Sequence, residues 1–258
     1  MNTHLLAHTA IALTVLLLIG WFWQRKSQNA GIADVLWAYG LGGSAFYYAV
    51  MVQGALLPRV LAGLLATLWF ARLGTHIFNR VMSESEDGRY QAMRGYFGEN
   101  INVFHFFFFL AQAFMAWLFA LPVWIAAHSQ DQAISLPLIL GVVVAIIAFT
   151  GECVADRQLS SFRSNPANRG KTCRQGLWRY SRHPNYFFEW LHWFAYPLFA
   201  WHAPLGIWVW LAPVFMLLFL YFITGIPYTE RQALRSRGED YRDYQRTTSA
   251  FIPWRPKI

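Results

Sequence analysis

Gly176-Leu-Trp-Arg-Tyr-Ser-Arg-His-Pro-Asn-Tyr-Phe-Phe-Glu-Trp190 joins a basic loop to an apolar segment, and its reading decides the fold. Asn185 and Glu189 stand one helical turn apart, just inside the apolar stretch. A carboxylate at that depth in a membrane helix is costly, so it is expected to face a cavity, a partner or a ligand. Pro184 suits the first turn of a helix, whose free N–H groups add to the positive field of the basic run ahead of it. The stretch predicts a polar pocket that opens from an aqueous face into a bundle of membrane helices.

The rest of the chain agrees. Of its 258 residues, 56% are hydrophobic and 13% are charged, about half the charged fraction of a soluble domain. Apolar runs long enough to cross a bilayer fall at about 4–23, 32–52, 56–78, 101–124, 134–155, 184–201 and 205–226. Seven spans are expected, the last two separated only by a turn at His202-Ala-Pro204. The first run ends in Trp21-Phe-Trp23, has no small-residue cleavage site and is followed rather than preceded by basic residues, so it reads as a retained helix. The expected fold is an all-α polytopic membrane bundle, one domain over 1–258, with N-terminal helices at 1–55 and a core at 56–258. Loops at 79–100 and 156–183 and the tail at 227–258 would cap one face. The tail reads as an amphipathic helix over about 228–246, carrying Arg231, Arg235, Tyr241 and Tyr244, and then the turn Phe251-Ile-Pro-Trp254.

Charge sets the expected topology. All of the 21 Lys and Arg residues except Arg59 and Arg72 fall in 25–26, 80–94, 157–182 and 231–257. Seven spans place these segments on one side, which should be cytosolic, with the N-terminus outside and the C-terminus inside. A net charge of +8 needs no nucleic acid, because anionic lipid heads attract basic residues flanking membrane helices. Cys153 and Cys173 predict neither a disulfide nor a metal site. Gly40-Leu-Gly-Gly43 lacks the preceding strand of a dinucleotide loop and reads as close helix packing.

Four groups bear chemistry on the basic side. Glu152 and Asp156, at i and i+4, repel unless a cation, a donor or a shared proton separates them; Arg157 or Arg163 could pair with them instead. Arg163, Arg169, Lys171, Arg174 and Arg179 form a loop suited to phosphates. Arg182, His183, Asn185, Tyr186 and Glu189 follow, with Tyr180 in the same stretch and His192 on the same face, where a satisfied core histidine is the plainer reading. Arg72, His76, Arg80, Arg89 and Arg94 form the fourth group. A cation-rich cap beside an amide and a carboxylate suits a nucleotide cofactor, since arginine grips phosphate through two hydrogen bonds at once. NADPH and S-adenosylmethionine both satisfy the pattern, and the many arginines favour NADPH.

At these residues the chain resembles the steroid 5α-reductase-like membrane proteins, over roughly 60–258. The resemblance is carried by Glu152-(x)3-Asp156-(x)6-Arg163, the stretch quoted above, and Gly225-Ile-Pro-Tyr-Thr-Glu230 through Phe251-Ile-Pro-Trp254. It implies NADPH bound from the cytosolic side, with Asp156, Arg163, Asn185 and Glu189 at cofactor-binding positions and Glu189 near the nicotinamide. With the basic and polar residues around them, the expected cofactor-binding set also includes Glu152, Lys171, Arg174, Tyr180, Arg182, His183, Tyr186, Arg231, Arg235, Tyr241 and Tyr244. The Arg-His-Pro-x-Tyr element also occurs in sterol reductases and isoprenylcysteine methyltransferases. Where steroid reductases hold the substrate ketone with a Gln-Glu pair and a Tyr, this chain has Gln53-Gly54 and Trp69. Glu189 and Gln53 are the expected catalytic residues, with Tyr47, Tyr48, His76, His105 and His192 the other polar candidates within the spans to hold the carbonyl. The expected activity is NADPH-dependent reduction of a conjugated carbon–carbon double bond in a lipophilic substrate entering from the bilayer. A membrane methyltransferase and a non-catalytic lipid-binding protein are the alternatives.

Overall fold

The structure, a computed structural model, describes residues 1–130, 132–223 and 225–257. Every regular element among them is helical. His4–Ser27, Leu56–Ser83, Gly88–Ala127, Leu136–Ser164 and Gly206–Arg237 are long and apolar enough to cross a membrane. The fold is the expected all-α, multi-pass membrane one, with five rather than seven stretches meeting both conditions among the described residues. Thr224, within the expected seventh span, lies outside the described residues.

The two shortfalls have physical causes. The second apolar run forms helix α2, Ile32–Met51, but Asp34, Ser44 and three glycines dilute its hydropathy. It can be so composed because it is a central helix, packed against α1 (His4–Ser27), α3 (Leu56–Ser83) and α5 (Ile101–Ala127). The sixth run breaks into α7, Pro184–His192, and α8, Ala195–Phe199. Pro197 explains the break: it lacks an N–H, and its ring crowds the carbonyl four residues back, that of Trp193.

The described residues divide into two compact units, 1–134 with 199–206, and 135–198 with 207–258. In the first unit, α1 buries Leu5, Thr9, Leu13, Leu17, Gly20 and Gln24, one stripe at helical spacing. Its other face exposes Ile11, Val15, Ile19 and Phe22, as a lipid-facing surface requires. The small residues of α2 act as expected: a Cβ added at Gly40 would stand 2.6 Å from Leu13. At the basic end, the 79–100 segment is not a loop but contains helix α4, Gly88–Phe97, capped by the Asp87 side chain. Arg89 lies 3.0 Å from Asp34, and Arg94 lies 2.7 Å from Glu86. With Arg80 3.6 Å from Asp87, Arg80, Arg89 and Arg94 of the fourth expected group all meet carboxylates within the first unit, while His76 is exposed.

The second unit holds α6 (Leu136–Ser164), α7, most of α8, α9 (Leu211–Leu218), α10 (Ile226–Arg237) and α11 (Glu239–Thr247). The tail is two helices instead of the single one expected over 228–246. Gly238, at φ +55°, ends α10 and starts α11, a left-handed backbone that glycine adopts without steric cost.

Candidate functional site

All the expected site residues except Gln53 belong to the second unit. The site is built first on α6, which carries the buried Glu152 and, one turn on, Asp156. Gly151 brings α7 close, since a Cβ there would stand 2.3 Å from the Phe188 ring. The loop before α7 is docked one turn further along. Trp178 Nε1 donates to the Ala155 carbonyl at 2.9 Å, and the Leu177 amide donates to Gln158 Oε1 at 2.9 Å. Gly176 makes this approach possible: its φ is +56°, and a Cβ would overlap the Gln158 amide at 2.3 Å. Asp156 lies between Ala155 and Gln158 in the chain, the two residues of α6 that meet the docked loop.

Glu230, on α10, is the hub of the cap. Its Oε1 lies 2.7 Å from Arg182 Nε and 3.3 Å from His183 Nε2. Its Oε2 accepts from Gln245 Nε2 at 2.8 Å, and Tyr241 reaches Oε1 at 3.5 Å. One carboxylate thus joins the loop before α7, α10 and α11. Arg182 adds a hydrogen bond to the Gln245 carbonyl at 2.7 Å. His183 is buried, stacks on Tyr186 with ring centroids 5.4 Å apart, and has its pKa pulled below the usual histidine range. Burial is the main cause, opposed by the hydrogen bond and charge of Glu230.

Beyond the cap, α7 carries Asn185 and Glu189. The Asn185 Oδ1 is buried and has no hydrogen-bond partner among the described residues. Glu189 accepts from Trp193 Nε1 at 3.4 Å and lies 3.8 Å from His192 Nδ1. His192 Nδ1 is also 2.6 Å from the Glu189 carbonyl, which can only accept; a neutral imidazole therefore carries its proton on Nδ1. His192 is fully buried, with its Nδ1 turned to the Glu189 carbonyl. Trp193 and Tyr196 complete this cluster, their rings 5.3 Å apart.

The basic residues divide into two classes. Arg163, Lys171, Arg231 and Arg235 are exposed at the surface of the unit. Arg174 is committed elsewhere: it lies 2.9 Å from both Asp240 and Asp243 and sits over the Tyr244 ring. Arg182, as above, is held by Glu230. Tyr241 and Tyr244 are buried, and the Tyr244 hydroxyl donates to the Trp178 and Ser181 carbonyls. These four expected cofactor contacts shape the cap through protein partners: carboxylates on α10 and α11 meet the two arginines, Glu230 accepts from Tyr241, and loop carbonyls accept from Tyr244. Tyr180 is exposed and lines a shallow cleft of about 480 Å³ with Pro253, Trp254 and Arg255.

Gln53 stands apart from the expectation. It lies beyond the end of α2, exposed in the turn before α3, and not within a span. An exposed amide is poorly placed to polarise a carbonyl in a dry site. Two residues outside the expected set join these clusters. Glu230 was visible as the last residue of the Gly225-to-Glu230 stretch, a carboxylate among the basic residues of the tail. Tyr196 follows His192 by four residues, the only spacing signal that marked it.

The arrangement offers an unpartnered amide oxygen and a carboxylate one turn apart on α7, with exposed cations on α6, α10 and the intervening loop. Asn185 Oδ1 can accept from a carboxamide N–H, and the exposed cations can hold phosphates. The residues present therefore fit a nicotinamide nucleotide. A model of the family described as "Protein of unknown function (DUF1295)" matches residues 20–248, and the chain belongs to that family. No curated protein matches it.

Proposed function

We propose that this member of the DUF1295 family is an NADPH-dependent membrane reductase of a conjugated carbon–carbon double bond in a lipophilic substrate. The observation that carries the reading is the buried, unpartnered Oδ1 of Asn185, one turn from Glu189. Buried acceptors in folded proteins almost always have partners, so a donor from a bound molecule is the economical account of this one. A nicotinamide carboxamide is such a donor, and Glu189 would lie beside the ring it carries. When bound, the reduced nicotinamide supplies a hydride. The residues of this chain would orient the ring, hold the phosphates and exclude water. Arg163, Lys171, Arg231 and Arg235 are the phosphate-binding set, supported by their exposure on elements that meet at the cap.

The test is mass spectrometry and nucleotide titration on purified protein. Co-purified or titrated NADPH is expected, and each Ala substitution in the phosphate set should raise its dissociation constant about tenfold. A bound methyl donor would replace the reading with the methyltransferase one. Loss of affinity for anionic lipid alone, with no nucleotide bound, would replace it with lipid binding.

A further inference from the structure

Reduction of a conjugated enone leaves one demand unmet by the residues assigned so far. A hydride with its electron pair passes from the reduced nicotinamide, which is oxidised, to the β-carbon. A proton from water joins the α-carbon. Between these events the carbonyl oxygen carries negative charge, and a hydrogen-bond donor must meet it in a water-poor site. Gln53 is exposed and in the other unit.

The geometry points to Tyr196 as that donor. The inference rests on the reductase reading for its substrate class, a lipophilic conjugated ketone. Tyr196 is 0% exposed, and its hydroxyl has no hydrogen-bond partner among the described residues. A buried phenol of this kind calls for a missing partner, and only an acceptor would use its proton. Its neighbours fit that role. The Tyr196 ring lies 5.7 Å from His192 and 5.3 Å from Trp193, both of which reach Glu189. Glu189 is also within electrostatic reach of the hydroxyl. The cluster thus runs from the Asn185 and Glu189 end of α7 to a neutral donor on α8, deeper in the apolar segment. The break at Trp193 and Phe194, forced by Pro197, sets the Tyr196 ring against those of His192 and Trp193. A phenol donates to a carbonyl without placing a charge in the membrane, which an acid or a lysine would do.

The experiment uses full-length protein in detergent micelles, without nucleotide, and β-ionone as the lipophilic enone. Binding is read by quenching of tryptophan fluorescence, and carbonyl hydrogen bonding by the position of the enone's ultraviolet band. Wild-type protein should bind β-ionone saturably and move the band to longer wavelength. Tyr196→Phe should still bind it, with the shift lost, nucleotide affinity unchanged and the melting temperature no lower than wild type. A shift that survives in Tyr196→Phe overturns the assignment, as does a wild-type protein that binds no enone or shows no shift. A clear fall in melting temperature in the Phe variant also overturns it, because the hydroxyl would then already serve a protein or water partner. If the enone results hold but no nucleotide binds, the reductase reading falls and the carbonyl site stands.

Discussion

Arg182 Nε and Glu230 Oε1 lie 2.7 Å apart, and their side chains are only 11% and 16% exposed. The pair ties the loop before α7 to α10, so the segment that aims Asn185 is fastened through Glu230. Glu230→Ala would leave a mostly buried guanidinium without its carboxylate. Breaking such a pair from one side costs about 3 kcal/mol. Limited trypsin digestion should show faster cleavage at 231–246, with the membrane helices intact. Unchanged digestion would mean that the carbonyl partners of Arg182 suffice to hold the cap.

The same hub makes the cap sensitive to acid. His183 has its pKa lowered chiefly by burial, so an opened cap takes up the proton more readily than the closed one. Its contribution is present above the ordinary histidine value of about 6.5 and is lost as pH falls below it. Glu230 and Arg182 are the charged groups that meet its ring or backbone neighbours. Wild-type melting temperature should decline on going from neutral to mildly acidic pH more steeply than that of His183→Gln. Parallel curves for the two proteins would remove His183 as the cause.

Asn185 and Glu189 separate ligand binding from structure. Asn185→Ala removes an acceptor that has no protein partner, so the melting temperature should hold. A neutral hydrogen bond contributes about 1 kcal/mol, so NADPH affinity should fall about fivefold. Glu189→Ala should weaken binding further, since it removes a charged acceptor. A large loss of stability with unchanged affinity would assign both side chains to helix packing.

Much of the fold can be read in the residues themselves, because membrane helices announce their length and their buried stripe. The α1 stripe from Leu5 to Gln24 repeats every three or four residues, and Gly40 packs on Leu13 as its size predicts. Breaks inside apolar runs are harder to see. Pro197 ends no run of hydrophobic residues, yet it divides α7 from α8; Gly238 is one small residue in a polar tail, yet it divides α10 from α11. The site is less legible still. The positions of Asn185 and Glu189 follow from one turn of helix, whereas the partners of Arg174 and Arg182 lie far along the chain on α10 and α11. Spacing identifies which side chains share a face, but it does not show which arginines already have carboxylates.

The orientation in the membrane follows from where the cations lie, and it decides which side supplies the nucleotide. The basic segments 25–26, 80–94, 157–182 and 231–257 hold all of the 21 Lys and Arg residues except Arg59 and Arg72. Basic residues next to short-looped spans are retained in the cytosol, so all four segments should face inward. Gln130 and Arg169 are both exposed; in the chain, Gln130 precedes and Arg169 follows α6, a helix long enough to cross the bilayer. With Cys153 and Cys173 replaced by Ser, a single cysteine at position 130 should react with an impermeant maleimide added to intact cells. A cysteine at 169 should react only after permeabilisation. The reverse pattern would place the cap outside, away from cellular NADPH, and would end the reductase reading along with the topology.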